Sequence, residues 1–540
     1  MNGIGEVTTS SWPRDGIARE SAEGVDLLIY EDRPRSILQM FYDSASAQPD
    51  NTALICDDIR WAYRELETLV NRTAWTLKEE RGIHKGDRVS VLLENRPEFV
   101  ILYLATTAIG GIFVPLNTRL KSRELVYQIQ KAGPRLLFVS KDFWTGIEPI
   151  KEDISSVERI FSVGGGIAGT EPFETLSSTG AAERISDENL NEHDPGCILF
   201  TSGTTGNPKG VVLTHCNVVN TAIACARVFS TTVDDVDLIM VPLFHVTGLF
   251  TQLSQTIYLG GTTILMRTFK ADAAVAIIEK EKVTLSISVP TIYWLMLISP
   301  EFSRYRLDSF KKIVYGGAPA APELVKRLAE AFPGASLINA GGLTEGTSLQ
   351  YALPPDVALR KAGSVGLPTP CTEYRLVDDR GVDVTQGEVG ELILKGAGIV
   401  KGYWEDAIST KKAFKDGWLY TGDMARADDE GYLWFMDRKK DIIIRGGENI
   451  YSVEVENVLY AFPKILEAAV LGVPDRIFGE QVKAFVVLKE GEETTEEAIR
   501  KFCEENLADY KIPRYVQFID EPLPRNPGGK VKKEALRAME

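Results

Sequence analysis

Two rhythms of apolar residues alternate along this chain. Over residues 63–80 the positions Leu66, Leu69, Val70, Ala74 and Leu77 recur at helical spacing and predict an amphipathic helix. Gly82 and Gly86-Asp87 then turn the chain into RVSVLLE (88–94), an apolar run of the kind a strand buried on both faces requires. Pro97 opens a helix to about Ala108, since its fixed φ and missing N–H suit a first helical turn. Residues 112–114 make the next strand, 122–131 a helix and 135–139 a strand again. Strands alternating with helices imply a parallel, right-handed βαβ sheet covered on both faces. Residues 1–35 follow neither rhythm and read as a polar, irregular arm.

The alternation resumes after residue 198, with a helix over 218–228 and a strand over 238–241. SVPTIYWLM (288–296) carries no charge, and KIVYGGAP (312–319) is a strand running into a glycine turn. The last hundred residues read as a small α/β unit: helix 453–460, strands 467–473 and 482–488, and an acidic amphipathic helix 495–506. At 540 residues the chain exceeds one ordinary core, so at least two domains are expected.

Composition narrows the function. Apolar residues make up 44% and charged ones 25%, a globular balance. A formal net charge of −16 disfavours a generic nucleic-acid partner. Cysteines 56, 197, 216, 225, 371 and 503 form no CxxC pair, which points away from zinc or a disulfide framework and towards a reducing cytoplasm. The first 25 residues lack the apolar core of a signal peptide. The uncharged runs 99–118 and 238–266 are interrupted by Gly, Pro and Gln, so they read as buried core and no membrane span is expected.

The densest chemistry lies in ILFTSGTTGNPKGVVLTH (198–215). Between two apolar runs sit the hydroxyls of Thr201, Ser202, Thr204 and Thr205, the glycines Gly203, Gly206 and Gly210, and Lys209. Glycines let backbone N–H groups crowd an anion, hydroxyls donate, and lysine adds a compact positive charge, a combination that fits a polyphosphate. No Gly-Lys-Ser/Thr follows at the spacing of a Walker loop. TSGTTGNPKG resembles the phosphate loop of the acyl-adenylate-forming superfamily: acyl-CoA synthetases, luciferases and adenylation domains.

That resemblance extends over the chain beyond about residue 40 and gives further segments their expected roles. PLFHVTG (242–248) resembles the wall of an acyl tunnel, which implies a gating role for His245, an acyl pocket including Val246, Thr247, Tyr293 and Gly316, and residues 288–296 as a further wall or simply a buried helix. KIVYGGAP and NAGGLTE (339–345) resemble the segments bordering adenine, placing Gly317, Ala318, Asn339, Ala340, Gly341 and Thr344 at ATP. Thr344-Glu345 suits Mg²⁺ on phosphate oxygens, with Thr201 as a further oxygen ligand. Where the family carries an adenine-stacking aromatic, this chain has Gly341, and a neighbouring aromatic is a candidate substitute.

GEVGELIL (387–394) and GWLYTGD (417–423) resemble the close of a large domain, with Asp423 on the ribose hydroxyls. In DRKKDIIIRGGENIYSVEVE (437–456), Arg438 matches a ribose contact, Lys440 a hinge, and Arg445, Gly446 and Gly447 a path for pantetheine. PLPRNPGGKVKKEALR resembles the terminal motif whose lysine, here Lys530, drives adenylation. The implied fold is α/β: a large domain (1–437) of parallel sheets, helices and a β-barrel-like portion, a hinge (438–440), and a small mobile cap (441–540). The implied activity is ligation of an organic, often fatty, acid to CoA, using ATP and Mg²⁺ and releasing AMP and pyrophosphate. Catalysis would rest on Lys530, Glu345 and His245, with the acid, ATP and CoA as partners and a homodimer as a candidate assembly. An aromatic acid–CoA ligase, a luciferase-like oxygenase, a stand-alone adenylating enzyme and a non-catalytic acyl-nucleotide binder are the alternatives. His245 stands where an amino-acid adenylating enzyme would need a carboxylate, which favours an uncharged acyl group.

Overall fold

The structure, a computed structural model, describes residues 12–22, 24–185, 190–201, 207–318, 320–525 and 531–539. Two largely parallel sheets form the body of the protein. The first has seven strands in the order 210–214, 195–200, 112–115, 88–92, 136–140, 159–163 and 171–172. All its pairs are parallel except the hairpin Pro195–Phe200 with Gly210–Thr214, at one edge. The second has nine strands in the order 367–368, 351–353, 336–341, 312–316, 285–288, 236–239, 262–265, 52–56 and 59–62. Its six inner strands are parallel, and antiparallel strands close both ends.

One apolar core joins the two sheets. The helices Ile37–Ala47, Tyr63–Trp75, Pro97–Ala108 and His215–Val228 share it with Val89, Val91 and Phe113 from one sheet and Leu54, Ile239 and Leu265 from the other. Pro97–Ala108 is buried around its whole circumference, which explains why its sequence carries no polar stripe. His215–Val228 begins three residues before the sequence-based start, because Thr214 caps it: its hydroxyl accepts from Asn217 N–H.

Where a barrel-like portion is expected, the chain builds an antiparallel five-strand sheet from Thr372–Val377, Gly390–Gly396, Phe414–Lys415, Trp418–Ala427 and Leu433–Arg438. Beyond it, the hairpin Ile465–Asp475 with Gly479–Leu488 supports the helices Ser452–Ala461 and Glu496–Asn506 around a core of their own, including Val455, Val470, Val482 and Ile499. The two parts meet where the Asp437 carboxylate accepts from Ser452 N–H at 2.5 Å and from its hydroxyl at 2.7 Å.

The expected irregular arm is corrected. Residues Ile17–Ala22 and Val25–Tyr30 form an antiparallel hairpin. Its anchor is Arg33, whose fully buried side chain pairs with Glu20 and with Glu192, each at 2.8 Å. A buried guanidinium needs such partners, and Glu192 lies too far along the chain for local patterning to reveal it.

Candidate active site

The expected phosphate loop lies between the two strands of the edge hairpin, Pro195–Phe200 and Gly210–Thr214. Thr201 N–H donates to Lys209 C=O at 3.0 Å and closes the base of the loop. Ser202, Gly203, Thr204, Thr205 and Gly206 lie outside the described residues. Lys209 leaves the far side half-buried, with its ammonium 4.8 Å from the centroid of the Tyr403 ring.

Thr344-Glu345 occupies a tight turn, Thr344–Gly346, after the Ser336–Gly341 strand. The Glu345 carboxylate accepts from the Tyr403 hydroxyl at 2.8 Å, and its carbonyl accepts from Val400 N–H at 2.9 Å. Tyr403 therefore touches both the loop lysine and the expected metal carboxylate. Its segment is riveted in place. Asn217 donates to the carbonyls of Ala397 and Ile399, Thr347 to Gly398, and Trp404 N–H to Gly210 C=O at 2.7 Å. The Thr410 hydroxyl accepts from Tyr403 N–H. Burial and the neighbouring Glu345 push the Tyr403 phenol far above its ordinary range, so it remains a donor.

The expected nucleoside side is made of small residues. Gly316 faces Ala340 in the parallel ladder so closely that a Cβ would strike the Ala340 carbonyl. Gly317 turns with φ +73°, which favours glycine, and Ala318 follows half-buried. The Asn339 amide donates to Ser364 C=O at 2.8 Å. Gly341 pairs with Tyr351, whose ring fills the space beside it. Asp423 and Arg438 are cross-strand partners joined by a 2.8 Å ion pair, with the carboxylate mostly buried and the guanidinium 40% exposed.

On the expected acyl side, His245, Val246 and Thr247 are half-buried at the start of a π-helical turn, Thr247–Ser254. The His245 ring packs on Phe244 at 4.7 Å. Thr251 in this turn donates to Ser348 at 2.5 Å, which ties it to the Glu345 turn. Tyr293 is a correction: it is a core residue, and its hydroxyl bonds the carbonyls of Ser286 (2.8 Å) and Val314 (2.9 Å). An apolar interior demands such partners for a phenol, so it does not face a ligand.

In the C-terminal part, Lys440 is exposed and 3.7 Å from Glu534; desolvation lowers its pKa. Arg445 donates to Gln481 at 2.8 Å and covers the Phe478 ring. Gly446 and Gly447 have φ +61° and +92°, and a Cβ on Gly447 would meet open space. Lys530 lies outside the described residues.

The donors fit magnesium. Glu345 and Thr201 offer hard oxygens, and among the described residues no group of three or more His, Cys, Asp or Glu could hold a metal alone. Such a set suits an ion that completes its shell with water and nucleotide phosphates. Tyr403 and Tyr351 are the residues that sequence reasoning missed. The one local signal for the first was an aromatic pair, Tyr403-Trp404, directly after a glycine in a polar stretch.

Residues 41–404 match the AMP-binding enzyme family, and residues 454–530 match the AMP-binding enzyme C-terminal domain. The chain is 34% identical to an indoleacetate–CoA ligase of Aromatoleum aromaticum, over 92% of this chain and 96% of that one. It is 36% identical to a long-chain-fatty-acid–CoA ligase of Mycobacterium tuberculosis, over 89% and 93%. Among solved structures, an anthranilate CoA ligase in complex with anthranoyl-AMP is similar at TM-score 0.87 and 28% identity, covering 93% of this chain and 97% of that one.

Proposed function

This chain belongs to the AMP-binding enzyme family, and from that premise we propose that it is an AMP-forming acid–CoA ligase whose substrate is a fatty or aromatic carboxylic acid. The observation that carries the reading is the convergence of the phosphate hairpin and the Thr344-Glu345 turn on one tyrosine, with Lys209 and Glu345 on its two sides.

The acid's carboxylate must attack the α-phosphorus of ATP, so two anions have to be brought together. Lys209 and the N–H groups of the loop offset the charge that develops, and Lys530 adds a second cation. Magnesium, when bound at Glu345 and Thr201, supplies further charge neutralisation on the phosphates. Asp423 and Arg438 present a carboxylate and a guanidinium to the ribose, and Gly316, Gly317, Ala318, Asn339 and Ala340 leave room for a flat base. His245, Val246 and Thr247 border the acyl group. The resulting mixed anhydride hydrolyses readily, so the site must exclude water until the thiol arrives.

Thiol attack needs a second arrangement of the same site. A cap of residues 441–540, turning about Lys440, would withdraw Lys530 and bring Gly446 and Gly447 to the pantetheine arm. The separate core of that unit supports this division. All six cysteines are free and buried, which suits a reducing compartment such as the cytoplasm. No helix among the described residues is long and apolar enough to cross a membrane.

The test is nucleotide analysis after turnover with an acid and CoA. AMP and pyrophosphate are expected, formed only with the acid present; ADP and phosphate would overturn the reading.

A further inference from the structure

Lys209 and Glu345 carry opposite charges at one site, yet no ion pair joins them. Each instead meets the same side chain, Tyr403. The Lys209 ammonium sits 4.8 Å from the centre of the Tyr403 ring, and the hydroxyl of the same ring donates to Glu345 at 2.8 Å. A lysine over an aromatic face is held electrostatically without transferring a proton or closing an ion pair. A phenol donating to a carboxylate fixes one oxygen and leaves the lone pairs of the other oxygen for a cation.

Tyr403 is itself fixed before any nucleotide arrives. Its N–H donates to Thr410 at 3.0 Å, its neighbours Gly402 and Trp404 bond Val212 and Gly210, and its ring meets Phe414 edge-on at 5.9 Å. The phenol is half-buried, with its hydroxyl already donating to Glu345. Asp406, three residues on, adds a carboxylate in the field of Lys209. If Tyr403 were absent, the cheapest rearrangement would be collapse of Lys209 onto Glu345. An incoming triphosphate would then have to break that pair and desolvate both groups again.

We propose that Tyr403 is a positioning residue for the nucleotide: its ring parks Lys209 and its hydroxyl orients Glu345, so that a magnesium-bound triphosphate meets two separated, preoriented charges. The inference deepens the adenylation reading above and rests on it. It assigns no bond-making to Tyr403. Its effect runs through Glu345 and Lys209, in the half-reaction that uses ATP, and is absent from thiol attack on a finished adenylate.

The experiment measures binding of a non-hydrolysable ATP analogue by calorimetry, with Mg²⁺ and with EDTA, for the wild type, Tyr403→Phe, Glu345→Gln and the double variant. Tyr403→Phe keeps the ring, so metal-free binding should stay within about twofold, while the gain from Mg²⁺ should fall about tenfold, the scale of one charge-assisted hydrogen bond. Added to Glu345→Gln, it should cost little more, because its partner is already changed. Tyr403→Leu removes the parking face as well and should weaken metal-free binding too. Tyr403→Phe should form thioester from supplied acyl-AMP and CoA as the wild type does, which separates positioning in the ATP-dependent step from general damage to the fold. An unchanged gain from Mg²⁺ in Tyr403→Phe, or equal losses with and without the metal, would overturn the proposal. Failure of the wild type to bind the analogue at all would overturn the adenylation reading and this inference with it.

Discussion

Gly341 and Tyr351 face each other across an antiparallel pair of strands, and the tyrosine ring occupies the volume in which a side chain at 341 would begin. A Cβ on Gly341 would stand 2.8 Å from ring atom Cδ2 and 3.1 Å from Cζ. The aromatic that the family resemblance places at 341 is therefore replaced in space by one from the next strand. The Tyr351 phenol, raised by burial, lies in the field of Asp423 and Arg438, on the expected ribose side.

Exchange of the two residues tests that relationship. Gly341→Tyr alone should overpack the strand pair and cost about 1–3 kcal/mol. Tyr351→Ala alone should leave a cavity worth about 3–5 kcal/mol and raise KM for ATP. The double variant should recover most of both losses. Thermal unfolding and KM for ATP measure the outcome; strictly additive losses in the double variant would mean that the rings do not share a site.

A second prediction concerns two buried groups with opposite pH behaviour. Burial pushes His215 down to about 4, against the opposing charge of Asp194; its Nδ1 accepts from Ile37 N–H at 3.2 Å. Burial pushes Asp237 up to about 7, despite hydrogen bonds from Gln252 and Thr256. An unfolded histidine binds a proton below about 6.5 that the folded one refuses, so the His215 contribution is complete above 6.5 and lost as pH falls towards 4. An unfolded aspartate sheds above about 3.9 the proton that the folded one keeps, so the Asp237 contribution is greatest at low pH and lost as pH rises towards 7. Between pH 5 and 6.5 the two slopes oppose each other at about 2 kcal/mol apiece. His215→Asn should therefore make Tm fall as pH rises from 5 to 6.5, and Asp237→Asn should make it climb. Parallel profiles for the two variants would contradict the assignment.

What was legible in the sequence follows from how local each cause is. Residues 88–92, 97–108 and 112–115 are buried on every side, so burial itself wrote continuous apolar runs, and their boundaries are readable. The family was readable from TSGTTGNPKG because the motif's chemistry is concentrated within ten residues. The hairpin of residues 17–30 was not, because its anchor, Glu192, is 159 residues from Arg33. Tyr403 was invisible for the same reason, standing 58 residues from Glu345. Tyr293 was misplaced because an aromatic in an apolar helix fits a pocket wall as well as a core; only the carbonyls of Ser286 and Val314 decide between them.

Acid selectivity offers a third test. His245, Val246 and Thr247 are half-buried, Gly248, Leu249 and Phe250 are buried, and none of the six carries a fixed charge. An ammonium or second carboxylate placed against them would lack a partner, at a cost of several kcal/mol. Octanoate or benzoate should exceed any free amino acid or dicarboxylate in kcat/KM by about 10²-fold or more. Pyrophosphate release over a panel of acids gives the ranking, and an amino acid at its head would refute this view of the acyl side.

The last prediction separates the two half-reactions. Lys530 should matter while negative charge builds on the α-phosphate and not afterwards. Lys530→Ala should therefore slow adenylate formation by about 10²-fold or more, the scale of one preorganised charge partner, and still convert supplied acyl-AMP and CoA to thioester. Gly447 should behave in the opposite way. Its φ of +92° suits glycine, and a Cβ there would meet no atom of the described residues within 4 Å, so it would point into open space. If that space is the path of the pantetheine arm, Gly447→Leu should form adenylate at nearly the wild-type rate and transfer it slowly. Backbone strain from the substitution is a separate effect, on the order of 1–3 kcal/mol, and Gly447→Ala controls for it by adding the strain without the bulk. Single-turnover thioester formation from synthetic acyl-AMP, run beside pyrophosphate release from ATP, reads both steps. If Gly447→Ala and Gly447→Leu slow transfer equally, strain and not obstruction is responsible. If Lys530→Ala and Gly447→Leu each lose both steps to the same extent, a cap serving two arrangements of one site is the wrong description of this enzyme.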